Sequence, residues 1–372
     1  MLYALAIGLT LGCGSGRGPV RRPVSAVTPH SSTSPTPQEH TTNPAWDLRQ
    51  SRWSGEAFKD PPSVVWTAKL AGPIVHPLRI VDDTVYAVAA GEVRAFSLDG
   101  VLRWSTQVNA SGPVNAGDTG IHVPTVNGVM QVLDSETGML KASYGGTSRI
   151  QTAPLNLDGT LAWVDHSGAL NTTGGKDEAA IPGPVSDAAS DGHRLVVGNN
   201  QGDVVAVSQG IVHWRTRVPG PVTIHPVIHG DVVYVPFGVS NGAPGGVVAL
   251  DLGTSTLRWQ THLRFEPSTA PALGEHLVVT DKKGEMAALD LRHGGIRWRA
   301  PASAGFSTQP VVQSSAIYVG RFDGRLDRID MTDGGAVWSV ELGSAITGEM
   351  AATNGRVFLG TTDGRLIALE SQ

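Results

Sequence analysis

The chain is 372 residues long and carries 46 glycines, 24 prolines and only 16% charged residues, where an ordinary soluble domain has about 25%. Its 28 Lys and Arg against 33 Asp and Glu give a net charge of −5 without a block of five like charges, so no concentrated basic face exists for a nucleic-acid backbone. A single cysteine, Cys13, excludes an internal disulfide, a cysteine-built zinc site and an iron–sulfur cluster.

From Leu2 to Leu11 the chain is almost uniformly apolar, a length that suits a signal-peptide hydrophobic region and is too short to span a bilayer. Gly12 and Cys13 follow, and the segment LTLGC resembles the lipobox of bacterial lipoproteins, although Thr10 stands where that family prefers leucine. The resemblance implies cleavage before Cys13, lipid attachment at Cys13, and a protein tethered to a membrane. A secretory signal with an incidental cysteine, or an uncleaved anchor, is the alternative. Residues 14–60 are rich in Ser, Thr and Pro and poor in aliphatics, so they are expected to form a disordered tether. Such a coil has an r.m.s. span of roughly 40 Å. Trp46 and Trp53 are candidates to dock it on the domain that follows.

Residues 61–372 repeat. A hairpin glycine recurs at Gly91, Gly128, Gly168, Gly202, Gly246, Gly284, Gly324 and Gly364, which defines eight units of about 39 residues, the size of one propeller blade. The turn requires a positive φ, which glycine tolerates. A second landmark is a turn, usually glycine-containing, followed four residues on by tryptophan: Gly100 with Trp104, Gly210 with Trp214, Ser255 with Trp259, Gly294 with Trp298 and Gly334 with Trp338. Ala142 and Glu178 interrupt this pattern in units two and three, which predicts different packing there. Unit eight ends after its third strand, while Val64 to Leu70 is a tryptophan-bearing fourth strand with no unit before it. Pairing the two closes the ring and hides both sheet edges. The fold expected is all-β: an eight-bladed β-propeller of four-stranded antiparallel blades. A seven-bladed ring with the irregular third unit displaced is the alternative.

The motif IYVGRFDGRLDRID, from Ile317 to Asp330, followed by TDGGAVW, from Thr332 to Trp338, resembles pyrroloquinoline-quinone-type (PQQ-like) propeller repeats, and the resemblance covers residues 64–372. It implies that Trp66, Trp104, Trp214, Trp259, Trp298 and Trp338 pack between blades. Quinone-dependent dehydrogenases of this type combine a vicinal disulfide with calcium ligands, and one cysteine cannot supply that pair. The expectation is therefore a protein that is not an enzyme and has no cofactor. A lipid-anchored propeller of this kind is similar to the scaffold lipoprotein of the outer-membrane β-barrel assembly machinery. That likeness implies a periplasmic protein on the outer membrane, with protein partners such as that machinery and no nucleic acid. A ligand-binding or sensory propeller is the alternative, and a quinone-dependent dehydrogenase a more distant one.

No GxSxG elbow, HExxH helix or Walker loop is read here, the string GVSNG at Gly238 to Gly242 lying in an insertion between two strands of an all-β repeat. His76, His225 and Gln309 hold matching places before a strand proline in units one, five and seven, and are expected to line the axial channel. Units one and five lie on opposite sides of the ring, so the two histidines cannot share an ion. The insertion GVSNGAPGG, Gly238 to Gly246, is the largest departure from the repeat, and Phe237, Val239, Asn241 and Pro244 are the expected partner-binding residues, because irregular loops on a rigid scaffold commonly carry binding.

Overall fold

The structure is a computed structural model, and it describes residues 57–371 except 118, 146–147, 182, 184, 302–303 and 354. Cys13, the apolar run before it, Trp46 and Trp53 lie outside the described residues. The rest forms eight four-stranded antiparallel sheets, in the order expected of an eight-bladed β-propeller. Blade 1 shows the plan: an inner strand Arg79–Val81, then Thr84–Ala89, Glu92–Ser97 and an outer strand Leu102–Gln107. The second strand, TVYAVA, is buried at every position because neighbouring blades cover both its faces. The outer strand, LRWSTQ, has one face on solvent and buries chiefly Trp104.

Blade 8 is assembled from both ends of the domain. Ser63–Lys69 pairs antiparallel with Arg365–Glu370, with Trp66 opposite Ala368 and Ala68 opposite Leu366. This is the closure expected from the orphan fourth strand, and it removes the edge that the third strand would otherwise present. Phe58, just before this strand, is buried against blade 7: its backbone N–H donates to the Tyr318 hydroxyl at 2.8 Å, and the two rings meet edge-on at 6.0 Å.

Each repeat tryptophan sits on an outer strand opposite a residue of the third strand, and that residue is alanine in most blades: Ala95–Trp104, Ala206–Trp214, Ala249–Trp259 and Ala288–Trp298. A bulge follows each of these pairs. The small residue leaves room for the indole to lean into the next blade. There Trp66, Trp104, Trp214, Trp259 and Trp298 each donate Nε1–H to a backbone carbonyl in the turn between the third and fourth strands of that next blade, at 2.7–3.0 Å.

One expectation needs correction in detail. Seven of the eight hairpin glycines have positive φ, but Gly246 does not. Its reason is space: a Cβ there would sit 2.1 Å from the Thr261 carbonyl oxygen and 2.9 Å from the Phe237 ring. The insertion moves the turn itself to Asn241 and Gly242, both at positive φ. Between blades 2 and 3, where Ala142 replaces the tryptophan, Trp163 from the second strand of blade 3 fills the gap with Met130, Ile150 and Tyr144.

Candidate functional site

One face of the ring gathers two kinds of segment: the hairpins joining second and third strands, and the connectors leading from each outer strand to the next blade. Hydrogen bonds tie them together, as in Leu70 N–H to the Gly364 carbonyl, Val218 N–H to that of Gly202, and Leu263 N–H to that of Gly245, each at 2.8 Å. These segments carry the least regular sequence in the repeat, so side-chain chemistry on this face is free to vary without disturbing the blades.

Between blades 5 and 6 this face opens into a groove of about 630 Å³. One wall is the blade 5 insertion, through Val239 and Pro244, and the opposite wall is the blade 6 hairpin at Asp281 to Lys283. The connector Arg264 to Ser268 lies between them. The insertion is a small ordered hairpin. Ser240 and Ala243 exchange backbone hydrogen bonds at 3.2 and 2.8 Å across the Asn241-Gly242 turn, and the Pro244 carbonyl accepts a hydrogen bond from His262 Nδ1 at 2.9 Å. Glu266 caps its base, with Oε1 accepting the Val239 N–H at 3.2 Å. Asp281 turns inward at 4% exposure and its Oδ1 accepts the N–H groups of Lys283 and Glu285 at 2.9 and 2.8 Å.

Of the four loop residues expected to meet a partner, Val239, Asn241 and Pro244 are exposed. Phe237 is a correction: at 2% exposure it belongs to the core between blades 4 and 5 and meets His262 edge-on at 5.6 Å, so it supports the loop from beneath. An aromatic at the end of an alternating strand had no local mark to say which face it takes.

A second, smaller cavity of about 320 Å³ lies on the axis of the same face, for its walls come from opposite sides of the ring: Asp187 before blade 4 and Val75, Pro77 and Glu349 of blades 8 and 1. His225 and Gln309 line it, whereas His76 does not, although its neighbours Val75 and Pro77 do. Burial lowers the His76 pKa below the ordinary histidine value. His225 Nε2 and Gln309 Oε1 are buried without a hydrogen-bond partner among the described residues. The carboxylates of Asp187 and Glu349 are the acidic groups of this lining.

A family model described as "Outer membrane protein assembly factor BamB" matches residues 59–136 and 147–372, which is nearly the whole ring. The chain belongs to this family. Among solved structures, BamB from Moraxella catarrhalis is similar with a TM-score of 0.70 at 17% identity, covering 84% of this chain and 98% of that one. The computationally designed Ika8 protein is similar with a TM-score of 0.69 at 18% identity, covering 81% of this chain and 98% of that one. At such identities these likenesses speak for the fold alone. No curated protein matches the chain.

Within this BamB-family ring, sequence reasoning found one wall of the groove and missed the other. Arg264, Lys282 and Lys283 were not singled out. The available signal was the hairpin Asp281-Lys282-Lys283-Gly284, whose two positions before the glycine hold no Lys or Arg in any other unit.

Proposed function

We propose that this protein is a non-enzymatic, lipid-anchored scaffold that binds protein partners on the periplasmic side of the outer membrane, in the service of outer-membrane protein assembly. The observation that carries the reading is the match to the BamB family across both flanks of the ring, at residues 59–136 and 147–372. The LTLGC segment supports attachment at Cys13, with residues 14–60 as the tether. The open groove on the hairpin face supports docking of a partner. Against quinone chemistry, the single cysteine, Cys13, cannot supply the vicinal disulfide of the quinone-dependent enzymes.

The decisive experiment is crosslinking of the full chain in its own membranes, followed by mass spectrometry. Recovery of barrel-assembly proteins is expected. Recovery of no protein, with a small molecule retained by the purified ring, would move the function to ligand sensing in the axial cavity, where Gln309 and His225 have unpaired polar atoms. Lipid labelling of wild type and Cys13→Ser tests the anchor separately: label on wild type alone is expected, and equal labelling of both sinks it.

A further inference from the structure

The axial cavity of about 320 Å³ on the hairpin face carries a carboxylate at each end of a diameter. Asp187 comes from the segment leading into blade 4 and Glu349 from the inner strand of blade 8, and in a ring of eight these blades face each other across the axis. Blades 5, 6 and 7 supply the arc between them through His225, Ser268, Ser307 and Gln309. No Lys or Arg is among the described residues of the lining. Asp187 Oδ1 accepts the N–H groups of Ala153 and Ala188, at 2.7 and 2.9 Å, which fixes the carboxylate between blades 3 and 4. Its charge has no cationic partner among the described residues.

Glu349 reaches the axis through a departure from the repeat. The inner strand of blade 8, Ile346–Thr353, has eight residues where those of the other blades have two or three, and its register on Arg356–Thr361 slips between Thr347 and Ala351. Among the described residues no other inner strand slips against its neighbour. Gly348 stands in the slip at φ +71°, and a Cβ there would lie 2.5 Å from the His76 carbonyl oxygen. A bulge of this kind re-aims the side chains beside it. Arg79, 3% exposed, stands 3.9 Å from Glu349 and offsets part of its charge without joining the lining. The wall is also rich in acceptors. His225 Nε2, Ser268 Oγ, Ser307 Oγ and Gln309 Oε1 are buried without a hydrogen-bond partner among the described residues, a cost that a donor from an occupant removes. Two carboxylates against one imidazole decide that the donor is cationic. A shared metal ion does not fit, because calcium needs its oxygens within about 2.3–2.6 Å and these carboxylates come from opposite blades. Among the described residues no three His, Cys, Asp or Glu are grouped to hold one.

We propose that the axial cavity binds a small organic diammonium ion, one end on Asp187 and the other on Glu349, with Ser268, Ser307 and Gln309 accepting the N–H groups that the carboxylates leave over. Each ammonium has three such donors, which is why acceptors beyond the two carboxylates are needed. A cavity of about 320 Å³ is at the small end of ligand sites and suits a short aliphatic diamine. The inference stands beside the scaffold reading and does not rest on it, since a ligand on the axis leaves the groove between blades 5 and 6 open to a partner.

The test titrates putrescine, butylamine, butanediol and succinate into the full chain by isothermal calorimetry, at low and physiological salt. Putrescine is expected to bind at a single site, more weakly as salt rises. Butylamine, with one charge, should bind at least about tenfold more weakly, and butanediol and succinate should not bind. Asp187→Asn keeps Oδ1 as acceptor for Ala153 and Ala188, so the wall stays in place, and it should weaken putrescine at least about tenfold. Glu349→Gln should do the same, whereas Glu136→Gln, at an exposed turn of blade 2, should change nothing. Absence of saturable putrescine binding by wild type overturns the proposal, as does equal binding by wild type and either axial variant. Butanediol binding as tightly as putrescine overturns it too, and makes the cavity a site for neutral hydroxyl compounds. The probe series on wild type decides the charge class without relying on the folding of any variant. Failure of putrescine to bind leaves the recovery of partners by membrane crosslinking untouched, and absence of partners leaves putrescine binding untouched, so the two readings fail separately.

Discussion

The seam between blades 5 and 6 and the seam between blades 3 and 4 solve one packing problem in two ways. At the first, Trp259 donates to the Leu291 carbonyl at 3.0 Å, and Thr261 donates to that of Gly294 at 2.7 Å. Gly294, at φ +68°, lets the turn approach so closely that a Cβ would sit 2.4 Å from the Trp259 ring. At the second, the packed residues are aliphatic: Leu155, Leu157, Val164, Ile181, Leu195, Val205 and their neighbours. Both bury apolar surface and both carry directed bonds, but in the second these come from backbone and polar groups at the inner strands and their turns, as in Asp158 N–H to the Gly192 carbonyl at 2.8 Å and Ala153 N–H to Asp187 Oδ1 at 2.7 Å, whereas in the first a packed side chain is itself the donor. An indole supplies volume and register in one side chain, whereas an aliphatic side chain supplies volume and leaves register to the polar groups around it.

The seam between blades 7 and 8 is intermediate. Trp338 occupies the repeat position beside Tyr318 at 5.9 Å, yet its Nε1 is buried without a partner. In the other latched seams the acceptor lies in the turn between third and fourth strands of the following blade. Blade 8 has no such turn, because its fourth strand, Ser63–Lys69, comes from the opposite end of the domain. Phe58 and Ala57 pack there instead.

The largest effect should come from breaking the seam inside blade 8. Removing residues 1–56 leaves Phe58 and Ser63–Lys69 in place and should preserve ring stability, whereas removing residues 1–70 strips the partner from Arg365–Glu370 and should cause aggregation, measured by light scattering during refolding. Similar behaviour of the two truncations would break the closure argument. Next, Trp259→Ala should cost about 3–5 kcal/mol in denaturant unfolding, and Val205→Ala on the aliphatic seam clearly less.

A third expectation concerns blade 2, which lacks the repeat tryptophan. His122, 2% exposed, has its pKa lowered to about 4 by burial, from 6.5. The folded protein holds this imidazole neutral while the unfolded chain protonates it, so its contribution is complete above pH 6.5 and is lost as pH falls toward 4. The loss should reach up to about 3 kcal/mol, and His122→Gln should flatten the stability–pH curve in that window. The smallest effect sharpens the comparison most. Trp259→Phe gives up a hydrogen bond worth about 1 kcal/mol, but Trp338→Phe gives up none, so the second should be the milder of the two in thermal unfolding.

The repeat was legible because most units satisfy the same backbone demands: a positive-φ turn, a small residue opposite an indole, and a buried, mainly apolar second strand. Local chemistry of that kind leaves its mark at fixed spacing, so blade number, blade boundaries and the strand that closes the ring could all be read from residues 61–372. The glycine–tryptophan spacing had a meaning that one unit alone could not disclose. Gly100, Gly294 and Gly334 do not serve the tryptophan four residues later in their own repeat; they clear space for Trp66, Trp259 and Trp298 of the blade before. Within the candidate site, the insertion stood out by length, and Val239, Asn241 and Pro244 are exposed on it. That Phe237 turns inward, and that Lys282 and Lys283 face the insertion from a separate blade, was decided only when the ring brought two hairpins about 40 residues apart into one groove. Periodicity records what every blade shares, and a groove is made of what two neighbouring blades do not share.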